Sequence, residues 1–250
     1  MSNTVDLLRQ LEELNRTNTI DVFVPSLKKE VKFKNLNLKQ QKNLLKTSID
    51  ETLTKLSFII NFYSIIQENI DSSVKVSDLY TFDRTAIAIA LRAKCLDSNY
   101  KYDDNSYNLI DKVSQIPSLE IKIPLEKKIE YQNITVELQA PKLGLDKAVS
   151  SYSLESIKLL QDKDFKNVIG ELFIHEIIKF IKCISINGDK PFTADFNNSN
   201  VVELIPIVER LPASVTNNIL EYVKSYRETE NQFTRINDIN VEVDGAFFSI

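Results

Sequence analysis

The sequence predicts an α+β fold in which long helices carry two or three short β-hairpins in a mixed, two-part architecture. Apolar residues alternate between a spacing of two, the mark of a half-buried strand, and a spacing near 3.6, the mark of an amphipathic helix. At 250 residues, 43% hydrophobic and 26% charged, the chain has the composition and length of an ordinary globular protein with one large or two small cores. The expected division is a helical arm at 1–17, a hairpin-plus-helix half at 18–100 and a second such half at 101–250, the halves meeting near Leu96–Leu119.

Val5, Leu7, Leu8, Leu11 and Leu14 give the first helix one apolar face, with Asp6, Glu12 and Glu13 outside. Being terminal, it reads as a detachable or partner-docking arm. Ile20–Asp50 is the stretch around which the rest is organised. Ile20, Val22 and Val24 alternate up to Pro25, which cannot continue a ladder. Ser26–Lys29 is the turn, and Val31 and Phe33 resume the alternation against Glu30, Lys32 and Lys34. A helix follows from Leu38, capped by Asn35 or Asn37, with Leu38, Leu45 and Ile49 on one face. Glu51–Ile70 is a long helix whose apolar residues, among them Leu56, Phe58, Ile59, Phe62 and Ile66, wrap most of its circumference; it should be central. The next helix runs Asp83–Leu96, with Ile87, Ile89 and Leu91 apolar and Arg84, Arg92 and Lys94 solvated. Tyr100–Tyr107 is a small hairpin turning at Asp103–Ser106, and Tyr107–Val113 adds a helical turn.

Leu119–Ala140 reads as another hairpin of the first one's design. Pro124 stands where Pro25 does, Lys127-Lys128 where Lys28-Lys29 do, and Tyr131 where Phe33 does. That is either an internal duplication or a chance likeness. Helices then occupy Leu154–Leu160, started by Ser153, and Asp164 to about Cys183, with a stripe from Val168 through Ile169 and Phe173 to Ile181. Asn187-Gly188-Asp189 is a turn, Pro191–Phe196 extended and Asn200–Arg210 helical, and Pro212 leads into a helix over Ala213–Arg227. Ile239, Val241 and Val243 alternate into an Asp244-Gly245 turn, with Phe247-Phe248 returning.

Several function classes find no support. The net charge of −4 and the pI of about 5.3 speak against a general nucleic-acid binder. No phosphate-cradling glycine run occurs. Cys95 and Cys183 are widely spaced, as suits a reducing compartment, and the amino terminus lacks the marks of a signal peptide. His175 is the sole histidine, and position 179, where a zinc-binding helix needs its second histidine, is lysine; it reads as structural. Asp103-Asp104 and Asp162/Asp164 lack the alternating order of a calcium loop. No residue is assigned to catalysis, a cofactor or a metal. The Lys28–Lys46 cluster reads as a solvated face or a docking surface for an acidic partner, since stacking aromatics are too few for a single-strand site.

The F-V-P-S run at Phe23–Ser26, V-K-F-K-x-L at Val31–Leu36 and L-K-Q-Q-K-x-L-L-K at Leu38–Lys46 resemble the baseplate hub protein family of T-even-type tailed bacteriophages. Phe82-Asp83, Ala90-Leu91-Arg92, Leu211-Pro212 and the ending Ala246–Ile250 fall where that family would place them. The resemblance implies a non-enzymatic structural component of the tail baseplate, in its hub or central region, acting through protein–protein contacts. A transient baseplate assembly chaperone is the alternative, and a small basic-patch nucleic-acid binder the alternative of another class. The implied partners are other baseplate or tail proteins, and itself as an oligomer. The implied location is the virion, after synthesis in the host cytoplasm, with no membrane span and no small-molecule substrate. Lys28, Lys29, Lys32 and Lys34 form the expected docking turn. Phe247 and Phe248 are its apolar anchor, or core.

Overall fold

The structure, a computed structural model, describes residues 2–48, 53–102, 105–160, 165–188, 192–193, 201–237 and 239–249. It is α+β: among the described residues nine α-helices accompany three two-stranded antiparallel sheets and one of four strands. The chain forms two compact units. One comprises Met1–Val76, Phe82–Leu119 and Phe233–Ile250, the other Ser77–Thr81 and Glu120–Gln232.

In the first unit α1 (Ser2–Thr17) precedes β1 (Thr19–Val24) and β2 (Lys29–Lys34), which pair from Thr19↔Lys34 to Val24↔Lys29. Period-two alternation buries Val22, Val24, Val31 and Phe33 on one face and leaves Asp21, Glu30 and Lys32 outside. A single 3₁₀ turn over Pro25–Leu27 joins the strands, closed by Lys28 in the left-handed region at φ 51°. Helix α2 (Leu38–Thr47) starts with a reciprocal capping box between Asn37 and Gln40.

Its inward face differs from the expected one. Leu44 is buried, but Leu38 is 79% exposed, and the face is completed by Gln40, Gln41 and Thr47. The glutamines turn inward because they have partners there. Gln40 bonds Glu68 and Asn69, and Gln41 Nε2 donates to Phe248 O at 3.1 Å. Ile49 lies outside the described residues.

Helix α3 (Thr54–Asn69) is central, as its apolar circumference requires: Leu56, Phe58, Ile59, Phe62, Ile65 and Ile66 are all buried. Helix α4 (Thr81–Cys95) begins two residues early, so Asp83 lies in its first turn. Arg92, expected in solvent, is 5% exposed because three backbone carbonyls and two aromatic rings receive it. Strands β3 (Asn99–Tyr102) and β4 (Asn105–Asn108) form the small hairpin. Tyr102 pairs with Asn105, so Asn105 and Ser106 belong to the strand and not to the turn; Asp103 and Asp104 lie outside the described residues. Helix α5 (Leu109–Gln115) follows, its Asn108 cap accepting from Ile110 N–H.

The second unit corrects the sequence reading most. The hairpin is β5 (Glu126–Tyr131) with β6 (Ile134–Gln139), turning at Gln132-Asn133 where Gln132 takes φ 53°. Lys127-Lys128 are therefore in mid-strand, whereas Lys28-Lys29 close a turn. The likeness between the two segments is one of pattern, with no shared geometry. Helix α6 (Leu143–Leu160) starts ten residues before Ser153, and its register was hidden by polar residues, Asp146, Ser150 and Ser153, on the inner face.

Helix α7 (Phe165–Ile178) stops short of Ile181, because Ile181–Ile186 is strand β7, the third of the order β5-β6-β7-β8, with β8 at Phe192–Thr193. An apolar run with few polar marks cannot be divided between helix and strand by period alone. Ile169 and Phe173 of the expected stripe are exposed, while Ile177 and Ile178 are buried. Helices α8 (Val201–Val208) and α9 (Ala213–Thr234) follow, the second longer than expected.

The chain closes on the first unit with β9 (Arg235–Ile236) and β10 (Ile239–Asn240), antiparallel to each other. The expected turn at Asp244-Gly245 and returning strand are absent: Ala246–Phe248 is a 3₁₀ turn that delivers both phenylalanines into the core. The Phe248 ring lies 5.5 Å from that of Phe62, which stacks on Phe58 at 5.2 Å.

Candidate functional site

The β1–β2 hairpin presents Lys28, Lys29 and Lys32 to solvent, with Lys34 half-buried and its Nζ donating to Glu68 O at 3.3 Å. Asp21, the cross-strand partner of Lys32, and Glu30 share this outer face, and Asp71 borders it. The Asp71 carboxyl is held below its ordinary range by hydrogen bonds from Ser73, with Lys29 and Lys32 adding to the effect. The turn's position is set by a buried carboxylate: Asp83, in the first turn of α4, accepts from Ser26 N–H at 2.8 Å. That places a negative charge near a helix amino terminus, where exposed N–H groups favour it. The lysine-bearing turn is thus tied to the amino terminus of α4.

Phe247 and Phe248, the expected apolar anchor, are 2% and 0% exposed. Of the two roles open to them, the structure places them in the core of the first unit. Arg92 clasps this segment: its Nη1 donates to the carbonyls of Phe247 and Ser249, its Nη2 to Asn99 O at 3.3 Å, and its plane lies against Tyr100 and Phe247. The motifs that suggested a family therefore meet in pairs. Ser26 of F-V-P-S bonds Asp83 of F-D, and Arg92 of A-L-R bonds the carboxy-terminal ending.

In the second unit α6 and α7 share a buried polar seam. Asp146, Ser150 and Ser153 follow one face of α6, opposite His175 and Lys179 of α7. Lys179 Nζ lies 2.8 Å from Asp146 and 2.5 Å from Glu176, which also reaches Arg227 at 3.2 Å. Burial pulls the Lys179 pKa down, but the two carboxylates outweigh it and the ammonium is held above its ordinary value. His175 Nδ1 lies 2.8 Å from Ser153 Oγ, which also donates to Val149 O at 2.8 Å; a ring-nitrogen proton donated to Ser153 satisfies both. Burial, with Lys179 nearby, lowers the His175 pKa to about 4. The pair is sealed between helices at 1% and 2% exposure, so this geometry is structural. The sequence reading named His175 and the lysine at 179 without joining them to Asp146; the i, i+4 spacing of His175 and Lys179 was the available signal of a polar helix face.

Cys95 is half-buried in the first unit, with Sγ 3.6 Å from Asn35 Oδ1 and its pKa pushed up by burial; Cys183 is buried in β7 of the second. Among the described residues no group of three or more His, Cys, Asp or Glu could hold a metal ion, and no helix is long and apolar enough to cross a membrane. On α1, Val5, Leu7, Leu11 and Leu14 are exposed.

The model of a protein family described as T4 bacteriophage base plate protein matches residues 17–234. No curated protein and no solved structure matches the chain. The matched span takes in the lysine hairpin, Asp83, Arg92 and the α6–α7 seam, and leaves out α1 and the ending Ala246–Ile250.

Proposed function

Because the chain belongs to the T4 bacteriophage base plate protein family, we propose that it is built into the hub or central region of a phage tail baseplate and acts through contacts with other baseplate proteins. The observation that carries this reading is the family match, which begins at residue 17, immediately before the lysine hairpin. In this reading Lys28, Lys29, Lys32 and Lys34 meet an acidic face of a neighbouring protein. A locally basic turn on a chain of net charge −4 steers such a partner and sets its register more than it adds affinity. Helix α1, with its exposed leucines, is the arm that docks or detaches separately.

Mass spectrometry of purified virions tests the placement: the chain is expected in stoichiometric amount, and its absence would make it a transient assembly factor. Reversing Lys28, Lys29 and Lys32 to glutamate tests the surface. Exposed charges contribute about 0–1 kcal/mol each to stability, so the triple variant should fold. Its incorporation should fall, and wild-type association should weaken with added salt. Normal incorporation of the folded variant would refute the docking role.

A further inference from the structure

Helix α1 keeps a row of leucines in solvent. Every residue of the helix whose burial is described is exposed, and Leu7, Leu11 and Leu14 retain 57%, 47% and 63% of their surface. A helix of 16 residues is marginal in water by itself, and a pair such as Arg9 Nε with Glu13 Oε1 at 3.5 Å adds little to it. One residue separates the helix from β1. Asn18 N–H still donates to Leu14 O at 3.0 Å, while Asn18 O accepts from Asn35 N–H at 3.2 Å, next to the first strand pair Thr19↔Lys34. The leucine row therefore begins at the edge of the hairpin, with no spacer between them.

The row has the spacing of a coiled coil. Leu7, Leu11 and Leu14 stand at d, a and d of a heptad in which Thr4 and Asn18 take the a places before and after. The flanking e and g places hold Asn3, Leu8, Gln10, Asn15 and Thr17, none of them charged. Asp6 and Glu13 fall at c, Glu12 at b, and Arg9 and Arg16 at f, with Val5 at b, all off the seam. This distribution bears on what covers the row. Charges at e and g set partner choice between helices; α1 has none with which to select an unlike helix, and none to repel its own copy. In parallel register each leucine meets the same leucine of the other copy, and Asn18 meets Asn18, a polar residue at a of the kind that specifies register and strand number. Turned antiparallel, a faces d, so Leu7 would lie against Asn18 or Leu14 against Thr4.

We propose that α1 is a homotypic dimerisation helix: two copies of this chain join in a parallel two-stranded coiled coil along Leu7, Leu11 and Leu14, with the Asn18 side chains paired where the helices enter the hairpins. Three leucine layers make a short seam, so the association is weak and depends on concentration. The inference rests on the docking role proposed for α1 and gives that arm its occupant. Its test is made on the purified chain, so its failure is separable from failure of the placement in virions.

Sedimentation velocity of the full chain should show a reversible monomer–dimer equilibrium between micromolar and near-millimolar concentration. Leu11→Glu should weaken it at least about tenfold, and Leu11→Ala, the milder change, in the same direction. Thermal unfolding of the dilute chain should be the same in both variants, since the residue lies outside the core. Asn18→Leu, which removes the polar a residue, should tighten association. Under mild oxidation Leu7→Cys and Leu14→Cys should each give a disulfide-linked dimer, whereas Arg9→Cys, at f, and the wild-type chain should not. A monomer at every concentration, association unchanged by either Leu11 variant, or equal cross-linking at Arg9→Cys would overturn the proposal. So would a monomer that still needs these leucines for incorporation into virions, since the seam would then belong to a different baseplate protein.

Discussion

Single residues at a few positions carry more than their type suggests. Gly245 looked like a turn glycine; its φ is −63°, which any residue adopts, and its need is space. A Cβ there would lie 2.4 Å from Leu44 O and Thr47 Oγ1. Lys179 is a buried cation held by Asp146 and Glu176, of which Asp146 is the buried one. Removing one partner of a buried pair typically costs about 3–5 kcal/mol, whereas replacing both by apolar residues is often neutral. Asp146→Ala should therefore lower stability by about 3 kcal/mol in urea unfolding, and Asp146→Leu with Lys179→Met should recover most of that. A double variant as unstable as the single would show that the seam is not held by this pair.

His175 makes stability depend on pH. Its pKa in the fold, about 4, lies below the ordinary 6.5, so between those values the unfolded chain binds a proton that the folded chain does not. Stability from the neutral ring is complete above pH 6.5 and is lost as pH falls to about 4, a total of about 3 kcal/mol at roughly 1.4 kcal/mol per pH unit. His175→Gln should flatten this part of the profile; parallel wild-type and variant curves between pH 7 and pH 4 would contradict it.

At the scale of elements, legibility followed how locally each element is determined. The first hairpin was readable because its proline, turn and two alternating strands are adjacent, and α3 because its apolar residues leave no other disposition. The second hairpin misled because LEIKI alternates like a strand and lies next to a Lys-Lys pair, yet pairing was decided by β7, some fifty residues on, which takes the other side of β6. The inner faces of α2 and α6 misled for a related reason. Gln40, Gln41, Asp146 and Ser153 point inward because side chains or carbonyls elsewhere in the chain satisfy them, and no helical period records such a partner. The lysine turn was legible as a charged loop, but Asp83, the residue that fixes it, read only as the start of the following helix.

The whole molecule is interleaved in sequence. The first unit is completed by Phe233–Ile250, and the second takes Ser77–Thr81 from the middle of the amino-terminal half. Both crossings carry core residues. Phe233 stacks on Phe82 at 5.7 Å, and Phe247 and Phe248 close the cluster around Phe62. Leu79, itself buried, accepts from Leu143 N–H at 2.7 Å, while Thr81 N–H donates to Pro141 O at 3.1 Å and the Thr81 hydroxyl bonds Tyr226 at 2.9 Å. A fragment ending at Leu119 therefore lacks three buried phenylalanines, each contributing roughly 1.5–3 kcal/mol by burial. That sum is comparable with the 5–15 kcal/mol by which domains are typically stable. A fragment starting at Glu120 lacks Leu79 and the edge it pairs with. Expressed separately, fragments 1–119 and 120–250 should each bind a hydrophobic dye and unfold without a cooperative transition; co-expressed, they should associate and recover one. A cooperative transition in fragment 1–119 alone would mean that the carboxy-terminal segment decorates the first unit and does not complete it.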